Sequence, residues 1–405
     1  MREALRSPGY RRFWIGSLAA NLGLWIQSIA LGWLVYDLTR KAGWLGAVSF
    51  IGNAPTLVLG LIGGAIVDRS SLRLVMTVSL LVIALSAATL AILTAMGWMT
   101  VSYVVTVALV AGTASAFYTP AMHALVPTLV RTEALLSAVS LNAVQFNLAR
   151  AVGPAIAGLL YPRIGPAGCF AVNAAGFLTL TGVLARLRMP PRTLTQPPSL
   201  AHALGEGIRY VRAHPLIAPA LSLAAVLSLF GFPYIILLPA LARDTLHLDA
   251  SGLGFLMASM GGGAVVGGLL VSVGGDRVSR PTLIATGAVL FGVALMGFEL
   301  VRTPHATELL LALLGALQTV TISTLTASVQ MAVDDGLRGR VMSMLSALFF
   351  GFSTLGGLLL GLLGDHIGVP HALALGGLVT TLVAAPRLLH HLARGRGTGV
   401  RTESA

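Results

Sequence analysis

GLIGGAIVDRSSLR at residues 60–73 returns as GAVVGGLLVSVGGDRVSR at residues 263–280. Each stretch is an apolar run with glycines at helical spacing: Gly60, Gly63 and Gly64 in one, Gly263, Gly267 and Gly268 in the other. Each closes on Asp-Arg and a further Arg: Asp68, Arg69 and Arg73, then Asp276, Arg277 and Arg280. Glycines let helices approach closely. An Asp at a helix end can pair with a facing helix terminus or an Arg. Two such clusters on one side of a membrane read as a latch between two halves. The plainer alternative is charge that only sets topology.

The echo extends along the chain. VPTLVRTEALLSAV (126–139) parallels VDDGLRGRVMSML (333–345), and GPAIAGLLYPRIG (153–165) parallels GGLLLGLLGDHIG (356–368). SPGYRRFW (7–14) has its counterpart in HPLIAPAL (214–221). The offset stays between 203 and 208 residues, as an internal duplication requires.

Composition says what the repeated unit is. Of 405 residues, 56% are hydrophobic and only 10% charged, against roughly 25% charged in a soluble domain. Mean hydropathy is +0.87. So few charges cannot cover a water-soluble enzyme of this length. Cys169 is the single cysteine, which excludes an intramolecular disulfide framework. A spanning helix takes about 20 apolar residues. Apolar runs cut at Pro, Gly and charge clusters fall at 13–36, 44–67, 73–95, 99–119, 137–160 and 166–186. Six more fall at 216–241, 251–273, 281–301, 307–328, 340–363 and 369–390. In lipid these runs must be helices. The expected fold is therefore an all-α membrane protein of 12 transmembrane helices in two six-helix bundles. An even number of spans per bundle gives both the same orientation and relates them by a pseudo-two-fold axis.

The expected domains are an N-terminal bundle at 1–187, a cytoplasmic linker at 188–215 and a C-terminal bundle with a cytoplasmic tail at 216–405. The linker is Pro-rich at first. It then carries Leu200, Leu204, Ile208 and Val211 on one face, the pattern of an amphipathic helix at the membrane surface.

Charge sorting sets the orientation. With the N-terminus in the cytoplasm, 20 of the 26 basic residues fall on the cytoplasmic side and 5 outside, leaving Arg150 within a span. That bias places both termini inside. The net charge of +12 then lies on the cytoplasmic face and marks topology, not a nucleic-acid partner. Asp365 counts among the outside acids. The first apolar run is long and lacks a small-residue cleavage site, so it reads as a retained span.

Several residues within spans are candidates for chemistry. Pro154, between Gly153 and Gly158, removes a backbone donor and bends its helix. Arg150 sits where an unpaired charge costs several kcal/mol. It binds an anionic cargo, tunes a carboxylate, or makes a structural ion pair. Asp37 ends the first span and is the proton-coupling candidate, the alternative being a carboxylate in water. Asn21, Trp25 and Ser28 share one face of span 1, and Asn142 and Gln145 lie in span 5. Phe230 and Tyr234 fall in span 7 and Gln318 in span 10. Together these eight are the substrate-cavity candidates, with interhelical hydrogen bonding or lipid exposure as the alternatives. No phosphate-binding loop, metal-ligand spacing or catalytic constellation is present, so neither a cofactor nor an enzyme activity is expected.

On these residues the chain resembles the major facilitator superfamily. Gly64-x-x-x-Asp68-Arg69 with Arg73 is similar to its cytoplasmic loop motif, although Ser71 and Leu72 stand where the family usually has a Gly and a basic residue. Gly153-Pro154-x-x-x-Gly158 looks like its exporter motif. FYTPAMHALVPTLV (117–130), LNAVQFNLARAVGPAIAGLL (141–160), VQMAVDDGLRGRVMSM (329–344) and RRFWIGSLAANLGLWIQSIALGWLVYDLT (11–39) resemble the branch of enterobactin exporters and macrolide-efflux-type permeases. The resemblance implies a secondary transporter in a bacterial inner membrane. It would export a small amphipathic molecule (drug, siderophore or metabolite) by alternating access with proton antiport, as a monomer. Exporters in related branches carry an Arg four residues before the Gly at position 112, where this chain has Ala108. The usual proton-coupling pair is therefore not evident. A nutrient importer of the same fold and a non-transporting membrane receptor are the rival readings.

Overall fold

A computed structural model describes residues 2–187, 209–274, 279–334 and 337–398. These residues are almost entirely helical: α1 (Arg2–Leu5), α2 (Pro8–Thr39), α3 (Ala42–Arg69), α4 (Leu72–Ala95), α5 (Val101–Leu129) and α6 (Leu135–Arg186) come first. Then follow α7 (Ile217–Val226), α8 (Tyr234–Ala240), α9 (Ala250–Gly274), α10 (Arg280–Met296), α11 (Pro304–Ala332), α12 (Arg338–Ile367) and α13 (Val369–Thr398). Among the described residues, 11 helical segments are long and apolar enough to cross a membrane.

Helix starts follow from local chemistry. The Ser7 hydroxyl accepts from the Tyr10 N–H, and Pro8 occupies the first turn of α2, where its missing donor costs nothing. Ser71 caps α4 and Thr100 caps α5 in the same way. The expected spans at 137–160 and 166–186 are one 52-residue helical segment, α6, broken only at Gly165. Its φ of 64° and ψ of −176° suit glycine and few other residues. The span expected at 216–241 runs on to Thr245 and is not a single α-helix. Wider π-helical turns at Leu227–Gly231 and Leu241–Thr245 interrupt it, flanking α8. Pro233 and Pro239 lack the N–H that a regular helix would use there.

The chain forms two compact units. The first contains Met1–Arg40, Ala47–Leu200 and Leu248–Ala258; the second contains Lys41–Gly46, Ala201–His247 and Ser259–Ala405. Each unit thus includes the start of a helix whose remainder belongs to the other. The first core gathers Tyr10, Phe13, Met76, Leu80, Leu125, Leu180 and Leu184 from α2, α4, α5 and α6. The second packs aromatic edges: Tyr234 lies 6.0 Å from Phe291 and 6.4 Å from Phe298 between ring centroids. Facing outward are Leu85 (63% exposed) and Ile92 (58% exposed) on α4, side chains that hydrocarbon solvates at no cost.

The linker lies outside the described residues up to residue 208. Residues 209–213 are helical, with Val211 buried, and the Tyr210 hydroxyl accepts from the Asp334 N–H at 3.2 Å.

Candidate functional site

The polar candidates of spans 1 and 5 meet along one seam between α2 and α6. The hydroxyl of Tyr10, a fully buried residue, shares its one proton between the Ala138 carbonyl at 2.8 Å and Asn142 Oδ1 at 2.9 Å. One turn on, the Trp14 indole donates to the Leu141 carbonyl at 3.2 Å. Gln145 is buried: its amide nitrogen donates to the Trp14 carbonyl, and its oxygen accepts from Asn21 Nδ2 at 3.5 Å. Further along, Trp25 meets Phe146 edge-on at 6.2 Å, and the Ser28 hydroxyl donates to the Trp25 carbonyl at 2.7 Å. The Trp25 indole N–H is buried without a hydrogen-bond partner. Seven residues further along α6 from Phe146, Gly153 makes room: a Cβ there would lie 2.5 Å from the Trp25 Cβ. Of this ladder Asn142 and Gln145 spend hydrogen bonds inside the bundle, while Ser28 is exposed.

Past the far end of this seam, Asn173 Nδ2 donates to Gln27 Oε1 at 2.8 Å. Tyr10, Trp14 and Asn173 are the residues sequence reasoning missed. Asn173 carried the usable signal, an amide deep in an apolar run. Tyr10 and Trp14 did not, because an aromatic near a span end is ordinary at a membrane interface.

Arg150 is half-buried in α6, 15 residues from Leu135 and 15 from Gly165. At about 1.5 Å per residue it stands near mid-depth of that stretch. Among the described residues it has neither a hydrogen-bond nor an ion-pair partner. Asn147, Arg150, Pro154 and Gly158 fall at the spacing of one α6 face. At Gly158 this face touches the start of α9. A Cβ on Gly254 would lie 2.6 Å from Gly158 Cα and 2.9 Å from the Pro154 carbonyl. The two glycines of the GPxxxG motif therefore have separate partners: Gly153 receives α2, and Gly158 receives α9.

In the second unit Tyr234 is fully buried and its hydroxyl donates to Gln318 Oε1 at 3.0 Å, joining α8 to α11. Phe230, in the first π-helical turn, is half-buried. Asp37 pairs with Arg40 at 3.3 Å, and both side chains are about half exposed, 48% and 58%. Gly64 and Asp68 lie in the last turns of α3, and Arg69 ends it. Arg73 donates to the carbonyl of Leu187, which caps α6, so a cation meets the negative end of a helix. Asp276 and Arg277 lie outside the described residues, and Arg280 points its guanidinium at the Met331 sulfur, 3.0 Å away. Among the described residues no three His, Cys, Asp or Glu side chains come together to hold a metal ion.

Known proteins resemble the chain over nearly its whole length. Residues 3–398 match the family described as transmembrane secretion effector. A staphyloferrin A transporter of Staphylococcus aureus is 25% identical over 92% of this chain and 93% of its own length. The macrolide efflux protein A of Streptococcus pyogenes is likewise 25% identical, with the same coverage. The multidrug efflux pump Tap of Mycolicibacterium fortuitum is 28% identical over 92% of this chain and 94% of its own. Among solved structures, a bacterial homolog of the human lysosomal transporter Spinster superimposes with a TM-score of 0.77 at 12% identity, covering 95% of this chain and 96% of that one. A peptide transporter gives a TM-score of 0.76 at 12% identity, covering 96% and 95%. At such identities these two structures speak for the fold alone.

Proposed function

The chain belongs to the transmembrane secretion effector family of the major facilitator superfamily, a membrane-embedded transporter of small molecules and not an enzyme, and from that premise we propose that it exports a small amphipathic molecule across a bacterial cytoplasmic membrane. The mechanism is alternating access: two bundles, 1–187 and 216–405, rock around a central site and expose it to one side at a time. Counting α6 as two crossings at Gly165 makes twelve spans and leaves both termini in the cytoplasm, as the basic loops favour.

The observation that carries the export reading is the helix crossing at the exporter motif. Gly158 and Gly254 touch where no side chain fits, a tight helix crossing that in this topology lies on the side facing away from the cytoplasm. On the cytoplasmic side, Gly64, Asp68, Arg69 and Arg73 with Asp276, Arg277 and Arg280 form the opposing gate. Asn21, Trp25, Ser28, Asn142, Gln145, Phe230, Tyr234 and Gln318 shape the cargo site, some by touching cargo and some by holding the helices that do. Arg150 takes an anionic group of the cargo, since an arginine near mid-depth with no partner among the described residues needs water or an anion beside it. Proton antiport supplies the energy, with Asp37 as the candidate acid, and the transporter works as a monomer.

Everted membrane vesicles acidified inside test the reading. They are offered a panel of dyes, macrolides and siderophores. Cargo accumulation that collapses with the pH gradient, and is lost in Asp68→Asn, is the expected result. Should no compound move under any imposed pH gradient, antiport is rejected.

A further inference from the structure

The start of α3 is held by a carboxylate 323 residues away. Asp365 Oδ1 accepts from the Ala42 N–H at 2.6 Å, and Oδ2 accepts from the Gly43 N–H at 3.1 Å. These are orphan donors of a first helical turn, normally satisfied by the helix's own N-cap side chain. Here the preceding residue is Lys41, whose ammonium is donor-only and cannot cap. The carboxylate also places negative charge at the positive end of the helix.

Glycines bring the two helices close enough for this. A Cβ on Gly43 would lie 2.7 Å from Asp365 Oδ2 and 2.9 Å from Leu362 Cδ2. A Cβ on Gly361 would lie 2.7 Å from the Ala42 carbonyl, and one on Gly46 would overlap the backbone of Gly357. Gly357, Gly361 and Asp365, four residues apart, make one ridge of α12 along which the first turns of α3 lie.

The duplicated sequence supplies an internal control. The repeat pairs Gly361 with Gly158 and Asp365 with Pro162, and it pairs the α3 start with the α9 start. At the α9 start the same close glycine crossing occurs, Gly254 on Gly158. There the cap is local: Asp249 Oδ1 accepts from the Gly252 N–H at 2.9 Å. α9 therefore keeps its cap wherever it goes. α3 has its cap only while it lies against α12.

We propose that Asp365 is a positioning residue of transport: a cap in trans that latches the start of α3 onto α12 and selectively stabilises the state in which the outer ends of the helices are closed. This rests on the alternating-access reading. In that cycle the outer ends must part, and parting strips α3 of its cap while leaving that of α9 intact.

The test measures opening without cargo. Spin labels go on Arg163→Cys and His366→Cys in a Cys169→Ala background, and pulsed electron resonance reads the distance between them in lipid nanodiscs. Asp365→Ala raises the longer-distance population about fivefold, the factor a typical N-cap is worth. Asp249→Ala, which removes an equivalent local cap, leaves the distribution unchanged. Gly43→Ala keeps the carboxylate but displaces it, and shifts the distribution as Asp365→Ala does; it decides the matter alone if Asp365→Ala does not fold. Distributions that superimpose on that of the unmodified pair, or an equal shift from Asp249→Ala, overturn the latch. Vesicle transport is scored separately: a distance shift with no cargo movement keeps the latch and sinks the export reading, and transport with no shift does the reverse.

Discussion

Adding one methyl group at Gly254 tests the helix crossing that seals the exporter motif. The Cβ of Gly254→Ala would stand 2.6 Å from Gly158 Cα, 2.8 Å from Gly158 N and 2.9 Å from the Pro154 carbonyl oxygen. All three are backbone atoms, so no rotamer change relieves the overlap. Carbon atoms rest at about 3.5–4.0 Å, so α9 must retreat from α6 by about 1 Å. Overpacking of this kind costs about 1–3 kcal/mol. The same substitution at Gly262, two turns along the same helix, meets nothing within 4 Å. There it exchanges a poor helix former for the best one, a gain of about 0.8–1 kcal/mol where the helix is solvated like a peptide. The assay is thermal unfolding of the purified protein in detergent, paired with dye retention by cells expressing it. Gly254→Ala melts lower and its cells retain more dye, while Gly262→Ala melts at or above the parent and exports normally. Equal melting and equal export for the two variants would refute the claim that the GPxxxG motif works through this crossing.

Other substitutions test the seam between α2 and α6. Tyr10→Phe removes the hydroxyl that reaches the Ala138 carbonyl and Asn142 Oδ1 and lowers stability by about 0.5–1.5 kcal/mol, read as a lower melting midpoint; an unchanged midpoint would mean that the hydroxyl is not needed there. Arg150→Met abolishes export of anionic compounds and spares neutral ones, with partial recovery in Arg150→Lys. A uniform loss across all cargo would assign Arg150 to structure instead.

Helix type and span positions were legible because each rests on local or periodic signals. The Gly-rich runs ending in Asp-Arg, the Ser7 and Ser71 caps and the basic loops need no knowledge of neighbours. Where the expectation fell short, the cause was a partner far along the chain. Asp365 looked like one more outside charge because the backbone amides it serves belong to Ala42 and Gly43. Gly153 and Gly158 looked like one motif, yet they receive different helices. The 137–160 and 166–186 runs were correctly apolar, but Gly165 breaks α6 with a single residue where a loop was expected. Polar residues in spans were a sound signal of interhelical bonds, as Gln145 and Gln318 illustrate, while composition alone could not say which of them also face cargo.

The exchange of helix starts sets an order on biogenesis. The first unit includes Leu248–Ala258, which the ribosome makes long after the rest of that unit. Until then Gly158 lacks the helix start that packs on its backbone. The second unit needs Lys41–Gly46, which is already in the membrane when α12 emerges. The earlier half of the chain thus waits for the later one to finish it, whereas the later half finds its missing piece in place. A ribosome stalled soon after residue 216 leaves an N-terminal bundle complete in sequence and incomplete in packing, a natural substrate for membrane quality control.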